Sequence, residues 1–306
     1  MFKEKSPATR SWRKRQAFKR ADEATNHGER PTAARMRAAA DYAERSVTGH
    51  SFDDGEAYEQ FMGRWSRELG KAFLTWLQPP ERAHWLDVGC GTGIFTELIA
   101  DTCAPASVIG VDPSQSQISR ARTCVASEKA EFRLADAQQL PLPDKAFDVV
   151  ASALVINFVP DKACAMSEMR RVARPGGLIA ACIWDFAAEL SPSGPLRRAM
   201  RRIGVEAPPV PGTDTSRTTV LADLFRNVGL TELRSNSFEV VVSFRDFEDF
   251  WRSQTPDYAP TTRLIDDMSE KDRLSLMEVV RDSLKPLGAG VGCSASAIAV
   301  RGHCPT

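Results

Sequence analysis

Long apolar runs are missing from this chain of 306 residues. A helix needs roughly 20 consecutive apolar residues to cross a bilayer, and no segment comes near that, so a membrane span is not expected. The first residues also lack the apolar core of a secretory signal. Net charge is absent too: 40 Lys and Arg offset 40 Asp and Glu, so no global field draws in nucleic acid or an anionic surface. Seven cysteines stand at 90, 103, 124, 164, 182, 293 and 304. Their number is odd and no two form a C-x-x-C pair, which argues against a disulfide framework or a zinc site and suits a reducing cytoplasm. No metal is expected. Histidine occurs four times, which leaves few candidates for a general base.

The charge is nonetheless uneven. Residues 1–49 hold 12 Lys and Arg against 6 Asp and Glu, with few large apolar side chains. This stretch reads as a basic N-terminal extension, disordered over 1–30 and with helix propensity over 31–47. Residues 50–306 read as one α/β domain. A helix is expected near 56–78, because Phe61, Trp65, Leu69, Phe73 and Leu77 recur at steps of four; Pro79 and Pro80 end it. Strands are expected at 84–88, 107–111, 130–134, 147–152 and 178–184, with helices at 92–101, 114–127 and 161–173. Near-continuous apolar strands separated by helical periods imply a parallel sheet covered on both faces. Past Trp184, five prolines within 187–216 indicate a mobile segment with a short helix. Helices follow at 218–228, 246–253 and 262–285, and strands at 236–244 and 294–301.

Residues 85–93 read Trp-Leu-Asp-Val-Gly-Cys-Gly-Thr-Gly. An apolar strand carrying one carboxylate, Asp87, breaks into glycines at 89, 91 and 93. Such a turn lets backbone approach a ligand closely. The spacing is not the G-x-G-x-x-G of a pyrophosphate-binding fingerprint. A second carboxylate, Asp112, ends the apolar strand at 107–111, 23 residues after Gly89. That position suits a carboxylate accepting ribose hydroxyls. Ala135-Asp136-Ala137 follows the next strand, then Leu140-Pro141-Leu142-Pro143 and Phe147-Asp148-Val149-Val150. The strand at 147–152 leads to Asn157 and Phe158, and a helix closing on Pro175-Gly176-Gly177 feeds the strand at 178–184.

In order and spacing these segments resemble the class I S-adenosylmethionine (SAM) methyltransferases of the small-molecule type, a group that includes ubiquinone and menaquinone C-methyltransferases. The resemblance is tight over 84–185 and looser from 56 and to 301. It implies a Rossmann-like, seven-stranded, mostly parallel sheet with its last strand antiparallel and helices on both faces. It also implies a small cap and substrate region near 50–78, 186–216 and 246–290. SAM is the implied cofactor, held by Asp87, Gly89, Gly91, Gly93, Asp112, Pro113, Asp136 and Ala137, with Asn157 and Phe158 beside the methyl donor. Residues 58–66 resemble a helix that covers the cofactor in one subset of these enzymes. On that basis Tyr58 lines the transfer channel and Arg64 pairs with the SAM carboxylate. Asn157-Phe158-Val159-Pro160 lacks the paired prolines of DNA amino-methyltransferases, so that reading is set aside.

A sulfonium leaving group places the difficult chemistry in the cofactor, and in-line positioning lowers a barrier by roughly 7–11 kcal/mol without an acid or base. None of the four histidines is placed to act: His27 and His50 fall in or near the basic extension, His84 begins a strand at the far edge, and His303 follows the last strand. Asp185, ending the strand at 178–184, and Tyr58 are the base candidates. Trp184, Phe186, Phe250, Trp251 and Tyr258 suit either a planar acceptor or the core of the cap. The expected partner is a small-molecule methyl acceptor rather than nucleic acid; a homodimer is left open. Two other readings stay open: a SAM-binding interaction protein without transfer activity, and an RNA or protein methyltransferase guided by the basic extension.

Overall fold

A computed structural model of the chain describes residues 62–256 and 259–306. The expectations for 1–49, the first turns of the helix near 56–78, and Tyr58 and Tyr258 lie outside the described residues.

The helix that the step-of-four pattern predicts is α1, Arg64–Leu77, and it buries Trp65, Leu69, Phe73 and Leu77 on one face. Its last carbonyls would be unsatisfied on their own. Arg301 closes them, donating to the backbone oxygens of Trp76 and Leu77 while lying over the Trp76 ring.

Five parallel strands follow the alternation of apolar residues. They are β1 (His84–Val88), β2 (Ser107–Asp112), β3 (Ala130–Leu134), β4 (Phe147–Ala153) and β5 (Ala173–Trp184). Helices α2 (Ile94–Thr102), α3 (Gln115–Cys124) and α4 (Lys162–Val172) connect them. After β5 come α5 (Gly194–Arg202), α6 (Thr218–Asn227), β6 (Thr231–Phe244), α7 (Phe247–Gln254), α8 (Pro260–Asp266), α9 (Glu270–Ser283), β7 (Lys285–Leu287) and β8 (Gly290–His303). The strand order is β3-β2-β1-β4-β5-β8-β6, with β8 antiparallel to both neighbours. This is the Rossmann-like, mostly parallel sheet implied by the resemblance.

Period-two alternation sorts the core onto two faces. Trp85, Val149, Ala151, Leu178, Ala180 and Cys182 pack with α1, α2 and α5. Leu86, Val88, Val150, Ile179, Ala181 and Ile183 pack with α4 and α6 on the other side. Phe73 anchors the first face, with its ring centroid 5.7 Å from Phe95 and 6.4 Å from Phe238. Phe73→Ala is expected to cost about 3–5 kcal/mol, read as a fall in denaturation midpoint with an unchanged slope.

Three local expectations need correction. The chain at 175–177 is strand rather than turn; Gly176 N–H donates to Cys304 O and Cys304 N–H to Gly177 O at 3.0 and 2.9 Å, just past the end of β8. The helix expected over 262–285 is two helices. Ser269 caps the second one, its hydroxyl accepting from Asp272 N–H, and that local bond competes with helix continuation. The short strand β7 was not expected; it pairs with the start of β8 across a turn at Gly288, φ 60°.

Candidate active site

Because β1 to β5 run parallel, their carboxyl ends share one edge of the sheet, and the glycine turn, Asp112, Asp136, Asn157 and Asp185 lie at or after those ends.

Asp87 is fully buried. Its Oδ2 accepts from Thr96 Oγ1 at 2.7 Å, whereas Oδ1 meets no hydrogen-bond partner among the described residues. Burial pushes the carboxyl up to about 7; the Thr96 hydroxyl opposes the rise and the charge of Asp112 adds to it. A buried carboxylate oxygen without a partner is costly until a donor or cation arrives. Close along the chain, the buried Thr92 Oγ1 also lacks a partner among the described residues.

The glycines of the turn are bare for different reasons. Gly89 has φ 80°, and a β-carbon there would lie 2.4 Å from Val155 Cγ1. Val155 reaches that place because Leu154 turns the chain out of β4 at φ 66°, a strained value for a bulky residue; its N–H is held by Cys182 O at 2.8 Å. Gly91 has φ 53°, and the nearest described atom to an added β-carbon is Gln117 Oε1 at 3.9 Å. Among the described residues, the space over Gly91 is thus open. Gly93, with φ 89°, is packed against Val125, Phe132 and Ala121.

Asp112 joins the turn to the second strand. Its Oδ2 accepts from Gly91 N–H at 3.0 Å and its Oδ1 from Ser114 N–H at 2.9 Å, with exposed Pro113 between. Asp136 is exposed; its Oδ1 accepts from Gln138 N–H at 2.8 Å and both oxygens from Gln138 Nε2. Ala137 beside it is buried. The loop beyond is clamped by Arg171, which donates to Leu140 O and Leu142 O at 2.9 Å and to Asp144 and Glu168. Glu168 in turn accepts Leu140 N–H at 2.8 Å. Sequence reasoning missed this clamp; its signal was a Glu and an Arg three apart on one helix face.

Asn157 is 1% exposed; its Nδ2 donates to Pro211 O at 3.5 Å, and its Oδ1 lacks a partner among the described residues. Phe158 meets Phe186 edge-on, with centroids 6.3 Å apart. Asp185 Oδ1 accepts Ala188 N–H at 2.9 Å and so closes a turn after β5. Arg64 forms a two-pronged pair with Asp249 at 2.9 and 3.0 Å and lies over the Phe244 ring. His84 and His303 are tied to Ser107 Oγ and Gly176 O. Trp184, Phe250 and Trp251 are buried in the core, whereas Phe186 is half-buried.

The orphaned oxygen of Asp87, the open space over Gly91 and the carboxylate bracing the turn fit SAM, which carries a cationic amine and two ribose hydroxyls. Residues 86–181 match the family model described as a methyltransferase domain. Residues 86–181 form a SAM-dependent methyltransferase domain. SAM is the methyl donor of the family. The chain is 32% identical over 167 residues to trans-aconitate 2-methyltransferase of Variovorax paradoxus, covering 54% of this chain and 60% of that protein. It is 35% identical over 102 residues to demethylmenaquinone methyltransferase of Roseiflexus castenholzii, covering 33% and 43%. The chain therefore spans less than two thirds of either relative. A candidate methyltransferase solved from Bacillus halodurans shares the fold, with a TM-score of 0.51 at 16% identity, covering 78% of this chain and 99% of that one. Among the described residues, no helix of the methyltransferase domain is long and apolar enough to cross a membrane.

Proposed function

We propose that this domain transfers a methyl group from SAM to a small-molecule acceptor by in-line displacement. The observation that carries this reading is the buried Oδ1 of Asp87, which has no partner among the described residues, behind a glycine turn that those residues leave open. SAM supplies an activated methyl group, so the protein's task is to bind, orient and exclude water. In this reading Asp87 takes the amine of the cofactor. Asp112 takes the ribose hydroxyls: each of its oxygens holds one backbone N–H, and a carboxylate oxygen accepts more than one bond. Asp136 and the backbone at Ala137 take the adenine, and Asn157 and Phe158 border the methyl group. Arg64 must leave Asp249 to reach the cofactor carboxylate, and Tyr58 lines the channel.

Transfer of labelled methyl from SAM to a panel of quinones, phenols, amines and carboxylic acids tests the reading. Label in at least one product class is the expected result; SAM binding without transfer to any class returns weight to an interaction protein. Asp185 remains the proposed base. Asp185→Asn is expected to lower turnover about tenfold or more with little change in SAM affinity, whereas loss of both assigns Asp185 to the turn that it closes.

A further inference from the structure

Asn157 follows β4 at the carboxyl edge of the sheet, and its carboxamide is buried with one end unused. Nδ2 donates to Pro211 O over a long 3.5 Å, whereas Oδ1 has no partner among the described residues. The amide does not exchange its ends freely, because turning it over would set Oδ1 against Pro211 O, two acceptors facing each other. Oδ1 is therefore directed away from Pro211. A buried carbonyl oxygen without a donor is costly, and each such group in a folded protein needs a reason.

Pro211 belongs to a strap, residues 209–216, that is fixed over the sheet edge at two points. Gly212, at φ 69°, lies so near β4's exit that a β-carbon there would collide with Asn157 O. Ser216 Oγ accepts the N–H of Ala187 at 2.8 Å. The strap thus meets Asn157 at its backbone oxygen and at Nδ2, and so presents Oδ1 in one direction. Through Val210 and Gly212 the same strap walls a cavity of about 430 Å³ beyond the end of β5, which Phe186 also lines. The Phe186 ring meets Phe158, the residue after Asn157. Small-molecule sites range over roughly 300–1,000 Å³, so there is room beside the Asn157 segment for a compact ligand.

An amide oxygen is completed by an N–H or an O–H. In the reading above the donors of SAM are already met: Asp87 takes its amine, Asp112 its ribose hydroxyls and Asp136 its adenine. The donor left for Oδ1 is that of the methyl acceptor, and the inference rests on that reading for the place of the methyl group. A carboxylate has only acceptor oxygens, so it would set like against like at Oδ1. An acceptor whose hydrogen is directed at Oδ1 keeps a lone pair turned elsewhere, open to the methyl carbon. That lone pair forms the new bond, the methyl–sulfur bond breaks with its electron pair on sulfur, and the surplus proton leaves the product for water. Asn157 takes no proton in this step; it orients the acceptor.

We propose that Asn157 binds the methyl acceptor, its Oδ1 accepting a hydrogen bond from the reacting group, and that the acceptor is therefore a hydroxyl or amine compound. The test is direct binding to the full chain, followed by fluorine NMR. The probes are 4-fluorophenol with its capped form 4-fluoroanisole, 4-fluoroaniline with its capped form 4-fluoro-N,N-dimethylaniline, and 4-fluorobenzoate. In at least one pair the donor is expected to bind about tenfold or more tightly than its capped form and than the benzoate; which pair shows it tells hydroxyl from amine. Asn157→Leu should abolish that preference, and Asn157→Asp, which keeps an accepting oxygen, should retain it. Equal affinity within both pairs, a folded Asn157→Leu protein that still prefers donors, or no binding of any probe to folded wild type overturns the proposal. The labelled-methyl panel is a second readout that needs no variant. Label is expected on oxygen or nitrogen that carried a hydrogen, and label only on carboxylates or on carbon overturns the proposal. SAM calorimetry on wild type separates it from the broader reading: no SAM binding defeats methyl transfer, while the donor preference at Asn157 is still read by NMR.

Discussion

Gly91→Ala is expected to weaken SAM binding by about a hundredfold or more while leaving the protein folded. At φ 53° alanine pays roughly 1–2 kcal/mol for the left-handed conformation and meets no described atom closer than 3.9 Å. The chain therefore absorbs the methyl group; a ligand seated over that turn does not. Gly89→Ala makes the contrast. Its β-carbon would stand 2.4 Å from Val155 Cγ1 at φ 80°, so it should lower the melting temperature as well as the affinity. Melting curves and calorimetry on both variants read the difference. A Gly91→Ala protein that binds SAM normally removes the glycine turn from the cofactor site.

The second large effect is in pH. SAM affinity is expected to rise with pH up to about 7 and then level. Burial moves the Asp87 carboxyl from 3.8 to about 7, with Asp112 adding to the rise against the Thr96 hydroxyl. Below 7 the free protein holds a proton there, and a cationic amine favours the ionised form. Binding then expels the proton, and each pH unit lost costs up to about tenfold in affinity. Asp87→Asn should bind more weakly and lose the slope. The stability of the free protein carries the opposite sign. The folded state binds this proton more tightly than the unfolded chain. The contribution is thus fully present below the unfolded value of 3.8 and is lost as pH rises through about 7. Asp87→Asn should therefore flatten the fall in stability between pH 4 and pH 7, an effect on the order of a few kcal/mol. Calorimetric titrations at several pH values, with unfolding curves alongside, check both signs.

The parallel half of the sheet was legible because each strand is a short apolar run closed by a turn signal, and the edge where such strands end is where ligands bind. Asp87, the glycines and Asp112 could be placed for the same reason: they lie at or just beyond those ends. The strap at 209–216 was not legible. Its position depends on Gly212 settling against Asn157 O and Ser216 on Ala187 N–H, contacts between residues 29 and more apart that no local pattern encodes. The break between α8 and α9 was missed because apolar residues flank it on both sides at helical steps, while the polar run from Ser269 to Arg273 holds the cap bond that starts the second helix. Arg64 shows the limit from the other side. Its charge and its place beside Trp65 were visible in the sequence, but its partner in the structure, Asp249, lies 185 residues away. Arg171 was likewise visible as a helix-end cation, while its clamp on Leu140 O and Leu142 O required the fold.

The central claim, a SAM site built on the glycine turn and the two carboxylates, is tested most directly by calorimetric titration of SAM into wild type, Asp87→Ala and Asp112→Ala. Saturable one-to-one binding by wild type, weakened at least tenfold in each variant, is the predicted result. No heat of binding from wild-type protein whose melting curve shows it folded, or affinity unchanged in both variants, would contradict the account.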